Sequence, residues 1–224
     1  MTMIESIIAG RKCRFFGSET PECVLVQPSA RHENGTLEAE VAELSKLVPK
    51  PFLLVTIELE DWTIDLMPWP DGNISRDPEA GKHGQETLGF ILEDLIPELE
   101  SRYGDLPVIL GGYSLGGLFA LWASCQSARF RGIAAASPSV WIHGWLPFAK
   151  KYVPMADAIY LSLGDREEHV KNQAIARVGD NLRAYYGLLQ AQSRRCTLVW
   201  EEGNHFNDNA GRLARAFAWC LKQR

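Results

Sequence analysis

The chain is poor in features that would mark a secreted, membrane-bound or cofactor-dependent protein. Its apolar runs, such as Pro51–Ile57, stop far short of the roughly 20 residues that cross a bilayer. Cysteines Cys13, Cys23, Cys125, Cys196 and Cys220 are odd in number and scattered, with no C-x-x-C pair. That spacing excludes a disulfide or zinc framework and reads as small buried hydrophobes in a reducing compartment. There is no H-E-x-x-H, no Walker loop and no G-x-G-x-x-G after a strand, so neither a metal nor another cofactor is expected. A net charge of −5 supplies no field to gather nucleic acid or an anionic membrane. The start lacks a basic region followed by a long apolar stretch, so no signal peptide is read and a cytoplasmic location is expected. With no repeat, low-complexity segment or shift in composition, residues 1–224 are expected to form one domain.

What is present alternates. Residues 11–16 and 22–27 read as two strands joined by a turn, a hairpin-like start. Leu37, Val41, Leu44 and Val48 recur at helical spacing until Pro49 and Pro51 end the helix. Residues 52–57 are a continuous apolar run, as a strand covered on both faces requires. Residues 58–84 carry Pro68, Pro70, Pro78 and tryptophans without a period, a loop long enough to suggest function. From Leu88 to Leu99 comes the clearest helical stripe, with Pro97 expected to kink it and Gly104 to end it. Further strands are expected at 107–110, 132–136, 158–163 and 196–200, with helices after Ser114, through Ile175–Leu189 and from Ala210. Strand and helix in alternation predict an α/β domain with a mostly parallel sheet and helices on both faces. In such sheets ligands bind beyond the carboxyl ends of the strands.

One stretch there carries chemistry. Gly112-x-Ser114-x-Gly116 follows an apolar strand and precedes Leu118, Phe119 and Trp122 at helical spacing. This is the layout of a nucleophile elbow, in which glycines permit a sharp turn and the serine oxygen stands at the sheet rim. A serine needs a base and a group to orient the base. Of the five histidines, His205 lies just past the last strand, after Gly203-Asn204, whereas His32, His83 and His143 read as surface. The acid is sought after the preceding strand, where Asp165, Glu167 and Glu168 compete; Glu167 is preferred because Asp165, at the loop's start, suits a turn cap. The spare carboxylates are expected to be solvated or paired with Arg166. An oxyanion would take one hydrogen bond from the Leu115 amide and one from the loop after the residue 52–57 strand, at Glu60, Asp61 or Trp62, among which a backbone donor leaves no side-chain signature to choose. Trp62, Trp69 and Trp141 follow strand ends and are expected to line a substrate pocket, while Trp122, Trp200 and Trp219 are read as core.

With these pieces placed, the sequence resembles the esterase family of α/β hydrolases that holds esterase D, the enterochelin esterases and the mycolyltransferase antigens. The matching stretches are Gly112–Gly117, Asp61–Pro70, Ser137-Pro138-Ser139-x-Trp141, Gly164–Glu168 and Gly203–Phe206. The resemblance implies an α/β-hydrolase fold, a triad of Ser114, Glu167 and His205, and a pocket wall from the Trp62–Trp69 loop and Trp141. No large lid insert separates the strands at Gly132 and Ala158, so an open site is expected. The expected activity is hydrolysis of a small soluble ester through an acyl-enzyme on Ser114. Transfer of the acyl group to an alcohol, as the antigens imply, or a hydrolase fold used only for binding, are the alternatives.

Overall fold

Apolar stretches of strand length fill the middle of a single sheet. The computed structural model describes residues 3–30 and 34–223; His32 lies outside them. Eight strands are present among these residues: β1 (Met3–Ile8), β2 (Arg11–Gly17), β3 (Val24–Ala30), β4 (Leu53–Leu59), β5 (Val108–Tyr113), β6 (Phe130–Ala136), β7 (Ala158–Gly164) and β8 (Arg195–Glu201). They pair in the order β1-β2-β4-β3-β5-β6-β7-β8. From β4 through β8 every pairing is parallel, and only β1–β2 and β2–β4 are antiparallel. Helices cover both faces. On one, α1 (Asn34–Leu47) and α9 (Asn209–Leu221) bury Leu37, Leu44, Leu213 and Phe217 against Leu25, Leu54 and Ile109. On the other, α5 (Leu115–Ala123) and α8 (Val178–Ala191) bury Leu118, Phe119, Leu182 and Tyr185 against Val55, Leu110, Ile133 and Leu161.

Two expectations are corrected. Residues 11–16 and 22–27 are strands but not neighbours: β4 lies between β2 and β3, and the antiparallel hairpin is made by β2 with β1. The reason is that β3 runs into α1 and needs a crossover to reach a parallel partner, which leaves the outer edge of β4 open to β2. Trp200 is not core. It lies on β8, the edge strand, is 39% exposed, and carries the Arg183 guanidinium 4.5 Å above its ring. Trp122 is buried and Trp219 packs partly buried beside the Tyr160 ring.

The stripe from Leu88 to Leu99 is one continuous helical run in three parts. α3 (Gly84–Gly89) gives way to a π-helical stretch, Phe90–Leu95, and then to α4 (Ile96–Tyr103). Pro97 brings no N–H to the ladder. Just ahead of it the turn is widened, and the Ile96 amide donates to the Ile91 carbonyl. Gly104 closes α4 at φ 83° with its amide on the Glu100 carbonyl. Cys13, Cys23 and Cys220 are buried, and burial pushes the Cys13 thiol up to about 11 and that of Cys23 to about 12. Among the described residues no helix is long and apolar enough to cross a membrane.

The turn from β5 into α5 is closely packed. A Cβ on Gly112 would sit 2.4 Å from the Gly116 carbonyl carbon, a distance that forces the backbone apart. Gly112→Ala is therefore expected to lower unfolding free energy by about 2–3 kcal/mol, read as a lower urea midpoint at unchanged slope. An unchanged midpoint contradicts this packing.

Candidate active site

The sheet brings together three loops that the sequence keeps far apart. Ser114 follows β5 directly and takes φ 57° and ψ −117°, a left-handed conformation that costs a non-glycine residue of order 1–3 kcal/mol and needs support from its surroundings. That support includes the Ser114 amide donating to the Ala136 carbonyl at 3.1 Å and the Ser139 amide donating to the Ser114 carbonyl at 3.1 Å. Past β8, the His205 loop is tied to itself by the Asn204 amide on Asn207 Oδ1 and the Phe206 amide on Asn204 Oδ1, both 2.8 Å. The Tyr113 hydroxyl donates to the His205 carbonyl at 2.9 Å. His205 Nε2 then lies 3.1 Å from Ser114 Oγ, and His205 Nδ1 lies 2.7 Å from Glu167 Oε2.

Glu167 begins a short 3-10 turn after β7 and is 4% exposed. Its second oxygen, Oε1, accepts from the Ser137 hydroxyl at 2.7 Å, the Gly164 amide at 2.7 Å and Arg212 Nη1 at 2.9 Å. Burial pushes the Glu167 carboxyl up, but the hydrogen bond and charge of His205, with the Ser137 and Gly164 donors, outweigh it and hold it below the usual carboxylate range. A Cβ on Gly164 would stand 2.8 Å from Glu167 Oε1 and 2.9 Å from Arg212 Nη2, so only glycine lets the acid and its cation approach the strand end so closely.

The other two carboxylates have separate partners. Asp165 Oδ1 accepts the Gly203 amide at 2.9 Å, pinning the histidine loop as a turn cap. Glu168 pairs with Arg183 of α8 at 2.6 Å, not with Arg166. Asp61, expected to supply an oxyanion donor, is engaged elsewhere in this structure. It caps α2 (Trp62–Leu66), its carboxylate accepting the Thr63 and Ile64 amides, and its own amide already donates to Asp65 Oδ2 at 3.2 Å. Trp62, the first residue of α2, lies against the elbow, its ring 3.5 Å from where a Gly116 Cβ would stand. Leu115 is the first residue of α5, and the first N–H groups of a helix have no intrahelical acceptor.

The cleft beside Ser114 has a volume of about 360 Å³. Trp141 lines it together with Ser139, Val170, Ile175, Val178 and Phe206. Trp69 and Trp62 do not. Trp69 donates to the His143 carbonyl at 2.7 Å and packs on the Phe148 ring, so it straps the residue 58–84 loop to the segment before α6 (Trp145–Lys151). Asp71 Oδ2 completes that strap by accepting the His143 amide at 2.7 Å. The helical stripe expected from Ile175 is broken: Ile175 sits in the short α7 (Gln173–Ala176), against the cleft, and the buried face of α8 starts at Val178. Ser139 Oγ is 3.2 Å from Ser114 Oγ. Arg212, Ser137, Ser139 and the Val170–Val178 wall were not identified from sequence. The Ser-Pro-Ser run was a visible signal for the two serines, whereas nothing local marks Arg212.

No protein-family model matches the sequence, and no curated protein matches it. Solved structures do match in fold. The siderophore hydrolase EstA from Aspergillus nidulans superposes with a TM-score of 0.78 at 22% identity, over 99% of this chain and 95% of that one. EstB, a siderophore hydrolase from the same organism, gives 0.73 at 20% identity over 97% and 92%. The enterobactin esterase FES from Shigella flexneri gives 0.70 at 20% identity; 99% of this chain is covered but only 59% of that one. With its mostly parallel eight-stranded sheet, helices on both faces and, among the described residues, no large lid, the chain has the α/β-hydrolase fold.

Proposed function

We propose that the protein is a serine esterase that cleaves a small soluble ester through an acyl-enzyme on Ser114. The observation that carries this reading is the unbroken line of contacts from Ser114 Oγ through both nitrogens of His205 to the buried Glu167. In it, Glu167 holds the proton of His205 on Nδ1, which leaves Nε2 as the base toward the serine. As Ser114 Oγ bonds to the ester carbon, its proton passes to Nε2 and the carbonyl oxygen becomes an oxyanion facing the Leu115 amide. His205 returns the proton to the leaving alkoxide, and the acyl group stays on Ser114. A water then repeats the sequence: its proton goes to His205, its oxygen takes the acyl carbon, and the proton ends on Ser114 as the acid departs. Because Trp141, Val170, Ile175 and Phe206 line the cleft, an uncharged, apolar acyl group suits it best. The likeness in fold to siderophore hydrolases makes a siderophore-type ester a natural member of the substrate panel.

Turnover of a short-chain nitrophenyl ester tests the assignment. Ser114→Ala is expected to lower kcat by about 10⁴–10⁶, and wild-type rates in that variant would rule the mechanism out. Glu167→Gln should cost about 10³–10⁴, while Asp165→Asn, which weakens only a loop contact, should stay within about tenfold; the opposite ranking would move the acid to Asp165. Trp141→Ala should reduce kcat/KM for bulky acyl groups by roughly tenfold and spare acetate esters, as a panel of acyl lengths will read directly.

A further inference from the structure

We infer that Arg212 is a positioning residue for this site, fixing which Glu167 oxygen faces His205 and, by its charge, setting the pH at which His205 takes up a proton. The inference rests on the reading of Ser114, His205 and Glu167 given above. Arg212 lies in the first turn of α9, flanked on that helix's buried side by Leu213, Ala216 and Phe217, and its side chain is 0% exposed. Burying a guanidinium costs several kcal/mol unless its charge and hydrogen bonds are met. Here the site meets its charge and both terminal nitrogens, while Nε is buried without a partner. Nη1 lies 2.9 Å from Glu167 Oε1, 3.2 Å from Ser137 Oγ and 3.2 Å from the Tyr113 hydroxyl, and Nη2 donates to the Glu202 carbonyl at 3.0 Å. One planar group thus joins the ends of β5 and β6 to the loops after β7 and β8.

The directions of these bonds are consistent. Ser137 spends its proton on Glu167 and Tyr113 spends its proton on the His205 carbonyl, so both hydroxyl oxygens are left to accept from Arg212. Oε1, holding three donors, is saturated, and Oε2 is left to His205 Nδ1 alone. That division fixes the tautomer with the proton on Nδ1. It also places a positive charge one carboxylate away from the imidazole, opposing a second proton there. Other charged groups, Arg166, Glu201, Glu202, Asp208 and Arg215, line a polar cavity together with Arg212. Of these, Arg215 is paired with Glu201 and Asp208. The phenol of Tyr113, which faces Arg212 from β5, is pushed up by burial and stays neutral.

The test is the pH profile of kcat/KM for Arg212→Gln and Arg212→Lys. Losing the charge should make His205 easier to protonate, so the acid limb of Arg212→Gln moves to higher pH by roughly one unit. Arg212→Lys, which keeps the charge but cannot span four acceptors, should return that midpoint to the wild-type value while its plateau remains about ten- to hundredfold low. Equal losses in both variants with no shift of the midpoint would overturn the inference, leaving Arg212 a purely structural residue. Should Arg212→Gln fail to fold, the comparison is made between Glu167→Gln and Glu167→Gln with Arg212→Gln, where no carboxylate is stranded. The His205 ring, followed by NMR, should titrate higher in the double variant, and identical titrations would overturn the inference. That readout needs no turnover. Failure of the esterase reading, seen as full activity in Ser114→Ala, is thereby separated from failure of the role given to Arg212.

Discussion

Glu167 divides its two oxygens between a set of fixed donors and the His205 ring, and the arrangement of the site depends on that division. One oxygen is held by a strand-end amide, a hydroxyl and a buried guanidinium; the other is left to the imidazole. A carboxylate this deep is costly to keep charged, and burial pushes it toward the neutral form. The donors around it outweigh that tendency. Removing one partner of such a buried pair leaves the other uncompensated, which typically costs about 3–5 kcal/mol.

The fold makes this division possible by delivering every member from one edge of the sheet. Tyr113 ends β5 and Ser114 follows it, Ser137 follows β6, Gly164 ends β7 with Glu167 in the turn beyond, and Glu202 and His205 follow β8. Parallel pairing aligns those ends, and α9 returns beneath them to bring Arg212 within reach of four chain segments. Glycine is needed twice at close quarters, at Gly112 for the elbow and at Gly164 for the acid. Strain at Ser114 is held by backbone hydrogen bonds to β6 and the loop after it.

Much of this was legible in the sequence because it is local. Apolar runs of strand length announced the central strands, and glycines flanking a serine between strand and helix announced the elbow. Two loops after later strands announced where a base and an acid would stand. What escaped was non-local. The partner of β2 is set by a crossover, not by the nearest turn, and β1 escaped because it is an edge strand whose Met3, Ile4 and Ile7 are exposed. Trp69 was misplaced because a strap across to His143 turns it away from the cleft. The partner of the Asp61 amide, a carboxylate four residues on, was likewise not legible. Arg212 left no trace, since a lone arginine at the start of an amphipathic helix looks like solvent-facing charge until the fold buries it.

The central claim, that Ser114 forms a covalent acyl intermediate, is tested most directly by trapping it. Rapid acid quench of enzyme mixed with a nitrophenyl ester, followed by peptide mass analysis, should show the acyl mass on the peptide that holds Ser114 during turnover. Turnover that proceeds with no acyl group on that serine, or with the acyl group on another residue, would contradict the account.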